Sequence, residues 1–226
     1  IKVGATAIDI NFGCPAPTVN RNDGGASLLR YPCRIREIVQ AVREAVPIDI
    51  PVSAKIRLGW DSIEPGFENA AMVQEGGASW ITIHARTRVQ SYKPPVFWAQ
   101  VGKVREQLQI PVIANGDIWT IEEFRRCREE TGCDKFMIGR SALANPVLSW
   151  QIADELGLPK PPHESFDWET LFRTFLLDLQ EQLARKKAKG DLRSQRRLES
   201  QGPLGNGGVG GLFRLKQWIK FAHNHG

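Results

Sequence analysis

The sequence lacks the features of a membrane protein and of a disulfide-stabilised protein. No apolar run approaches the ~18 residues that a membrane-spanning helix needs, and no signal peptide opens the chain. The four cysteines among 226 residues form neither a CxxC pair nor a regular framework. We therefore expect free thiols in a reducing compartment, the cytoplasm, and neither a zinc site nor any other metal site. Because the chain opens on Ile1 and a strand pattern starts almost at once, we expect it to be part of a longer chain.

Positive charge is concentrated in the C-terminal third. Residues 1–157 carry 18 basic and 18 acidic side chains, whereas residues 158–226 carry 12 basic and 7 acidic ones. Seven of these cations lie within residues 185–197, with Asp191 as the single acid there. A solvated helix face is one interpretation of the cluster. A neutral body with a basic tail is also typical of proteins that bind a polyanion such as nucleic acid.

Short apolar segments alternate with amphipathic ones through residue 157. The predicted strands are 6–12, 51–58, 80–86, 111–115 and 134–139, and the predicted helices between them are 34–46, 67–75, 97–108 and 121–131. This alternation predicts an α/β fold with βαβ units and a parallel sheet. Residues 158–162, "LPKPP", break the pattern, and helices are predicted at 168–189 and 212–223. We therefore predict two domains, 1–157 and 158–226.

Within each strand, apolar and polar side chains alternate. One face carries residues such as Val52, Ala54, Ile56 and Leu58. The other face carries polar residues towards the C-terminal strand ends: Asp9, Asn11, Lys55, Arg57, His84 and Arg86. A parallel sheet that is covered on both faces is apolar throughout, so the pattern favours a TIM (β/α)8 barrel with a polar C-terminal rim.

Three cations of this polar face need partners if they are buried. Because Asp9 can neutralise only one of Lys55, Arg57 and Arg86, we expect a bound anionic cofactor to neutralise the others. Ion pairing inside an empty barrel is the alternative. The last two strands end in Asn115-Gly116-Asp117 and Gly139-Arg140, which predicts a phosphate site. In barrels this site follows strands seven and eight, so the chain would hold strands four to eight.

Five segments resemble, in order, the motifs of the tRNA-dihydrouridine synthases. They are "DINFGCPAPTVNRNDGGASLL", "PVSAKIRLGW", "IHARTR", "PVIANGDIW" and "MIGRSAL". The chain is most similar to the bacterial C-type subfamily, which is associated with uridine 16 of the tRNA D-loop. The resemblance implies an FMN-dependent barrel followed by a small all-helical domain that binds tRNA. It also implies NADPH as the reductant, and we expect a monomer.

The resemblance also assigns roles to individual residues. Cys14 matches the catalytic cysteine. The FMN-binding positions are Asn11 beside flavin and substrate, Lys55 and His84 at the flavin ring, and Asn115, Gly116, Asp117, Gly139 and Arg140 at the phosphate. The residues that we expect to contact tRNA are Asn20, Arg21, Arg57, Arg86, Tyr92, Arg193, Arg196, Arg197 and Lys216.

The implied chemistry explains why a cysteine stands in the Gly13-Cys14-Pro15 corner, where a strand ends. Hydride reaches C6 of the uracil from the reduced flavin, and C5 then needs a proton from a rigidly held acid. An ordinary cysteine thiol is protonated at neutral pH and can supply that proton. We expect Cys33, Cys127 and Cys133 to be small buried thiols instead.

Two other functions fit parts of the sequence. The first is an FMN barrel oxidoreductase that acts on a free pyrimidine, but a small substrate needs no basic helical tail. The second is a tRNA-binding or tRNA-folding protein whose barrel no longer catalyses. The combination of Cys14, Lys55 and His84 argues against it.

Overall fold

The structure is a computed structural model that describes residues 4–159 and 167–188. Two compact units divide the chain, Ile1–Gly139 and Arg140–Gly226. The predicted domain boundary after residue 157 stays a prediction. Of the residues that we expected to bind tRNA, Arg193, Arg196, Arg197 and Lys216 lie outside the described residues, as does the predicted helix 212–223.

The first unit contains a five-stranded parallel sheet with the order β1-β2-β3-β4-β5. Its strands are β1 (Ile8–Asn11), β2 (Val52–Gly59), β3 (Trp80–Thr87), β4 (Val112–Asn115) and β5 (Lys135–Met137). Its helices are α1 (Pro17–Asn20), a 3₁₀ helix (Gly25–Arg30), α2 (Pro32–Ala45), α3 (Gly66–Glu75), α4 (Trp98–Gln107) and α5 (Ile121–Thr131). The predicted parallel α/β sheet is thereby confirmed.

The second unit contains α6 (Arg140–Ala144), α7 (Leu148–Glu155) and α8 (Trp168–Ala188). The helix predicted from residue 168 onwards is confirmed by α8. The sequence did not predict α1, the 3₁₀ helix or α7, because segments of four to eight residues are too short to show a helical period. Within residues 4–159 and 167–188, no helix has the length and apolarity that crossing a membrane requires.

The predicted apolar strand face forms the core of the first unit. Val52, Ala54, Ile56 and Leu58 have no exposed surface. Helices α2 and α3 pack against each other and against β2. A Cβ atom at Gly76 would lie only 2.7 Å from the Cβ atom of Val39 in α2, so this glycine permits the close approach at the end of α3.

Helix α5 shows how local sequence fixes an element. At its start, the Thr120 hydroxyl accepts a hydrogen bond from the Glu123 amide at 3.2 Å, and the Glu123 carboxylate accepts one from the Thr120 amide at 3.3 Å. At its end, Gly132 adopts φ 60°, a left-handed conformation that suits glycine. The capping box and the glycine explain why the observed bounds equal the predicted ones.

Candidate active site

The register of the parallel sheet places the polar strand residues in two rows. One row joins Arg57 of β2, His84 of β3 and Asn115 of β4, and the other joins Asn11 of β1 and Lys55 of β2. The carboxyl ends of parallel strands meet at one edge of the sheet, where ligands bind in α/β proteins. The candidate site therefore lies at this edge.

Four hydrogen bonds hold the backbone of the Gly13-Cys14 corner. The Asn11 side-chain oxygen accepts a bond from the Gly13 amide at 2.9 Å, and Arg57 Nε donates to the Gly13 carbonyl at 3.0 Å. The Cys14 carbonyl accepts bonds from Asn20 Nδ2 and from the Ala26 amide, both at 3.0 Å. The thiol itself is half-buried and free. The backbone of this corner is therefore fixed, and the thiol stays partly accessible.

Gly25 allows the loop after Cys14 to fold back against the corner. Its φ is 59°, and a Cβ atom there would lie 2.9 Å from the Cys14 carbonyl oxygen. Any other residue would combine left-handed backbone strain with a clash. The segment 22–25 ("NDGG") is therefore part of the support of Cys14.

Arg57 is a structural tie rather than an unpaired cation. Its side chain is buried, and its guanidinium donates to the carbonyls of Gly13 at 3.0 Å, Thr87 at 3.0 Å and Ser91 at 2.7 Å. It also lies 5.4 Å from the centroid of the Tyr92 ring. The expectation that Arg57 needs an anionic cofactor is thus wrong, because backbone carbonyls satisfy its donors.

Among the three cations of the polar strand face, Lys55 is the one for which the described residues provide no partner. The structure records no hydrogen bond or ion pair for its ammonium group among the residues it describes. Burial, reinforced by the neighbouring Arg57, lowers the pKa of Lys55 from 10.5 to about 8, and Asp9 offsets this only in part. Asp9 instead accepts a hydrogen bond from Ser53 Oγ at 2.6 Å. Lys55 therefore holds an unneutralised charge at the edge of the sheet.

His84 is a buried and uncharged imidazole. Burial lowers its pKa to about 2, and the cations of Arg57, Lys55 and Arg86 act in the same direction. Its Nδ1 atom has no hydrogen-bond partner in the structure. The unpartnered nitrogen is itself buried, and in a neutral imidazole it donates or accepts a hydrogen bond according to the tautomer.

Arg86 is wholly buried and forms an ion pair with Asp117, with Nη2 bonded to Oδ2. Its Nε donates to the Pro95 carbonyl at 3.2 Å, whereas Nη1 has no partner. The expectation that Arg86 requires a cofactor for its charge is wrong, because Asp117 neutralises it. This pairing is not predictable from a local pattern, because 31 residues separate Arg86 from Asp117.

The turn after β4 has an unusual backbone. Gly116 adopts φ 119° and Asp117 adopts φ 49°, a conformation that non-glycine residues rarely take. A Cβ atom at position 116 would lie 3.3 Å from Cε1 of His84. Trp98 Nε1 donates to the Gly116 carbonyl at 2.9 Å, and Asn115 Nδ2 donates to the Met137 carbonyl at 2.7 Å. The turn therefore packs closely against the His84 imidazole, and the Asn115 side chain connects it to β5 by a hydrogen bond.

The remaining expected cofactor residues lie at the end of the first unit and the start of the second. Gly139 is exposed, and a Cβ atom there would meet no atom within 4 Å. Arg140 is the first residue of α6, as the sequence predicted for a helix start.

Five of the residues that we expected to contact tRNA lie in the described part of the chain, and two of them, Arg57 and Arg86, are buried. Arg21 and Tyr92 are exposed, and Tyr92 also lies edge-on to His84 with ring centroids 6.4 Å apart. Asn20 instead points inwards, because its amide nitrogen donates to the carbonyls of Cys14 and Gly24, both at 3.0 Å. Its geometry therefore supports a role in holding the cysteine corner.

Sequence reasoning missed residues that position the site. Trp98 fixes Gly116 through its indole N–H, and no local pattern distinguishes this tryptophan from a core residue. Arg88 donates from Nε to the Asn20 side-chain oxygen at 2.9 Å. Its position two residues after Arg86 was the available signal, because the period of a strand places it on the same side.

The other three cysteines differ in burial. Cys127 and Cys133 are buried as expected, and burial raises the pKa of both thiols, that of Cys127 to about 12. Cys33 is exposed, so the expectation of a buried thiol is wrong there. It lies away from the face of α2 that buries Ile35 and Val39. In residues 4–159 and 167–188, no group of three or more His, Cys, Asp or Glu side chains could hold a metal ion.

Comparison with known proteins agrees with the sequence motifs. The family model described as dihydrouridine synthase (Dus) matches residues 1–200. A tRNA-dihydrouridine(16) synthase from Shewanella oneidensis is 46% identical over 188 residues, which cover 83% of this chain and 58% of that protein. The protein of the same name from Aquipseudomonas alcaligenes is 47% identical over 186 residues, 82% of this chain and 58% of that one.

The protein of that name from Pasteurella multocida is 51% identical over 150 residues, 66% of this chain and 48% of that one. The chain thus spans about half the length of the curated relatives it matches.

Proposed function

The chain belongs to the dihydrouridine synthase family, and from this premise we propose that the protein reduces uridine to 5,6-dihydrouridine in the D-loop of tRNA. The relatives' names support position 16 as the target. The observation that carries the proposal is the free, half-buried Cys14 thiol in a hydrogen-bonded corner at the sheet edge. Lys55 and His84 lie on the neighbouring strands β2 and β3, in the rows that also contain Asn11 and Asn115 at the ends of β1 and β4.

The architecture that we propose extends the described sheet. Residues 1–157 form the C-terminal part of a TIM (β/α)8 barrel, and the five parallel strands are its strands four to eight. Residues 158–226 form a helical domain that binds tRNA, in a cytoplasmic monomer. The strand order and the basic residues after 157 support this division.

FMN fits the groups that the site leaves without partners. The unneutralised Lys55 ammonium and the neutral His84 imidazole, whose buried Nδ1 has no partner, suit an electron-rich ring that would gain negative charge on reduction. We assign ring contacts to Asn11, Lys55 and His84, and phosphate contacts to Asn115–Asp117, Gly139 and Arg140. FMN, reduced by NADPH, supplies the hydride for C6 of the uracil.

Cys14 supplies the proton that completes the reaction. The new C–H bond at C5 takes its hydrogen from Sγ, and the resulting thiolate regains a proton from solvent, because the thiol is only half-buried. The bonds of Arg57 to the Gly13 carbonyl and of Asn20 to the Cys14 carbonyl hold the corner during this transfer. The uracil must leave its stack to reach this thiol.

Replacement of Cys14 tests the proposal. In a strain that lacks the gene, wild-type protein should restore dihydrouridine at its tRNA position, whereas Cys14→Ala should not. With purified proteins, uridine reduction should fall by roughly 10²–10⁴-fold, the usual contribution of a general acid. Oxidation of NADPH through bound FMN should stay near the wild-type rate.

Cys33→Ala is the matched control, because Cys33 is an exposed thiol on α2. It should behave as wild type. A Cys14→Ala protein that reduces tRNA at the wild-type rate would refute the assignment. A wild-type protein that leaves tRNA unchanged but reduces a free pyrimidine would identify the alternative oxidoreductase.

A further inference from the structure

Two arginines converge on one tryptophan beside the Cys14 corner. We call Arg30, Trp60 and Arg88 the arginine–tryptophan cluster. The guanidinium carbon of Arg30 lies 4.5 Å from the indole centroid, and that of Arg88 lies 4.6 Å from it. Trp60 directly follows β2 and Arg88 directly follows β3, whereas Arg30 ends the 3₁₀ helix. The cluster therefore lies at the strand edge that carries the candidate site.

Most hydrogen-bond donors of the two arginines are unused. A guanidinium has five N–H donors. Arg30 uses Nε for the Ser27 carbonyl at 3.3 Å, and Arg88 uses Nε for the Asn20 side-chain oxygen at 2.9 Å. Neither arginine has a carboxylate partner among residues 4–159 and 167–188. The indole attracts both cations but neutralises neither of them.

The cluster is mechanically connected to the catalytic corner. Asn20, which accepts the bond from Arg88, donates through its amide nitrogen to the Cys14 carbonyl at 3.0 Å. One side chain thus separates the guanidinium of Arg88 from the backbone of Cys14. A ligand that orders Arg88 also orders the loop that presents the thiol.

We propose that the arginine–tryptophan cluster binds a backbone phosphate of the tRNA strand next to the uridine that reaches Cys14. This inference rests on the proposed function. The planar arginine forks match phosphate geometry, and the missing carboxylates leave both charges available to an anion. Arg30 is exposed and Arg88 is half-buried, so a strand that passes over the edge can reach both. The cluster thereby anchors the strand at the site, apart from any contacts of residues 158–226.

Arg30→Ala tests the inference without disturbing the cysteine corner, because the hydrogen bond of Arg30 stays within its own 3₁₀ helix. The measurement is tRNA affinity of the FMN-loaded protein across a salt series. Loss of one phosphate contact on a single strand changes the slope of log K against log salt by about 0.7, which corresponds to roughly fivefold weaker binding at 0.1 M salt. Arg30→Lys should restore the wild-type salt slope but only part of the affinity, because an ammonium group keeps the charge without the planar fork.

Arg126→Ala is the matched control. Arg126 also lies over an indole, 5.4 Å from the Trp98 ring, but Glu130 neutralises it at 3.6 Å and it belongs to α5. Its loss should leave tRNA affinity and the salt slope unchanged. Wild-type affinity and slope in Arg30→Ala would overturn the inference even if the wild-type protein forms dihydrouridine. An equal loss in Arg126→Ala would also overturn it, because the effect would then reflect net charge alone.

The wild-type arm separates this inference from the proposed function. If wild-type protein binds tRNA but forms no dihydrouridine, the proposed function fails, and the affinity of Arg30→Ala still decides the inference. If wild-type protein binds no tRNA, both fail.

Discussion

Lys55→Met should stabilise the flavin-free protein while weakening its hold on FMN. Lys55 lies on a sheet edge where burial disfavours its charge and where, among the described residues, no anion pairs with it. Methionine has a similar length and no charge, so it removes the unfavourable term without leaving a cavity. If the role of Lys55 is to face an anionic cofactor, its replacement must raise the stability of the flavin-free protein and lower the affinity for FMN.

The size of the effect follows from the pKa of Lys55. In the folded protein that pKa is about 8, against an ordinary value of 10.5. One pKa unit corresponds to ~1.4 kcal/mol, so the buried charge costs about 3 kcal/mol below pH 8. Between pH 8 and pH 10.5 the unfolded chain binds more protons than the folded one, so the stability of the wild-type protein rises with pH. The advantage of Lys55→Met should therefore be full at pH 7 and nearly absent above pH 10.5.

Urea unfolding of the flavin-free proteins at pH 7, 9 and 10 measures this advantage. A gain of about 3 kcal/mol moves the midpoint by roughly 1 M or more at pH 7, and the gain should shrink at the two higher values. Lys103→Met is the matched control, because Lys103 is an exposed lysine of α4. Its effect should stay within about 0.5 kcal/mol at every pH. FMN titration of Lys55→Met should show weaker binding than wild type.

Two results would refute this reasoning. If Lys55→Met is no more stable than wild type at pH 7, the ammonium group already has a stabilising partner. If the variant gains stability equally at every pH, the gain comes from apolar packing. In either case the positive charge of Lys55 does not destabilise the flavin-free protein, and the argument that it serves to bind an anionic cofactor fails.

Two further predictions concern the imidazole and the basic tail. The pKa of His84 is held at about 2, so protonation of the unfolded chain lowers the free energy of unfolding by ~1.4 kcal/mol for each pH unit below 6.5. Urea unfolding at pH 6.5, 5.5 and 4.5 should show a smaller dependence on pH in His84→Gln than in wild type. An equal dependence in the two proteins would contradict the assignment. The double substitution of Arg193 and Arg196 by Glu should weaken tRNA binding and reduce its salt dependence while FMN binding persists. If the tRNA affinity and the slope of log K against log salt stay unchanged, the basic residues within 185–197 do not contact tRNA.

The sequence determined the strands of the first unit, its longer helices and the buried face of its strands. Alternation of apolar and polar residues in β2 put Ile56 and Leu58 on the buried face and Lys55 at the site, because a strand turns successive side chains to opposite sides. A capping box and a terminal glycine fixed both ends of α5. The Gly-Cys-Pro corner was recognisable because chain breakers mark the point where a strand ends. Each of these features depends on residues that are close together along the chain, so it can be predicted from the sequence.

Tertiary structure alone decided which polar groups meet. Arg57 satisfies its donors with carbonyls from two distant loops, Asp117 neutralises Arg86, and Asn20 supports Cys14. The partners of Arg57 and Arg86 come from segments that are remote in sequence, and Asn20 reaches back six residues to Cys14 within an irregular loop. No periodic pattern encodes any of these pairings. The bond from Arg88 to Asn20 spans 68 residues and depends on the register of three strands. The register of the strands follows from how the whole sheet packs. The sequence could therefore place these side chains near one end of the strands, but it could not show which of them bond within the protein and which are left to bind a ligand.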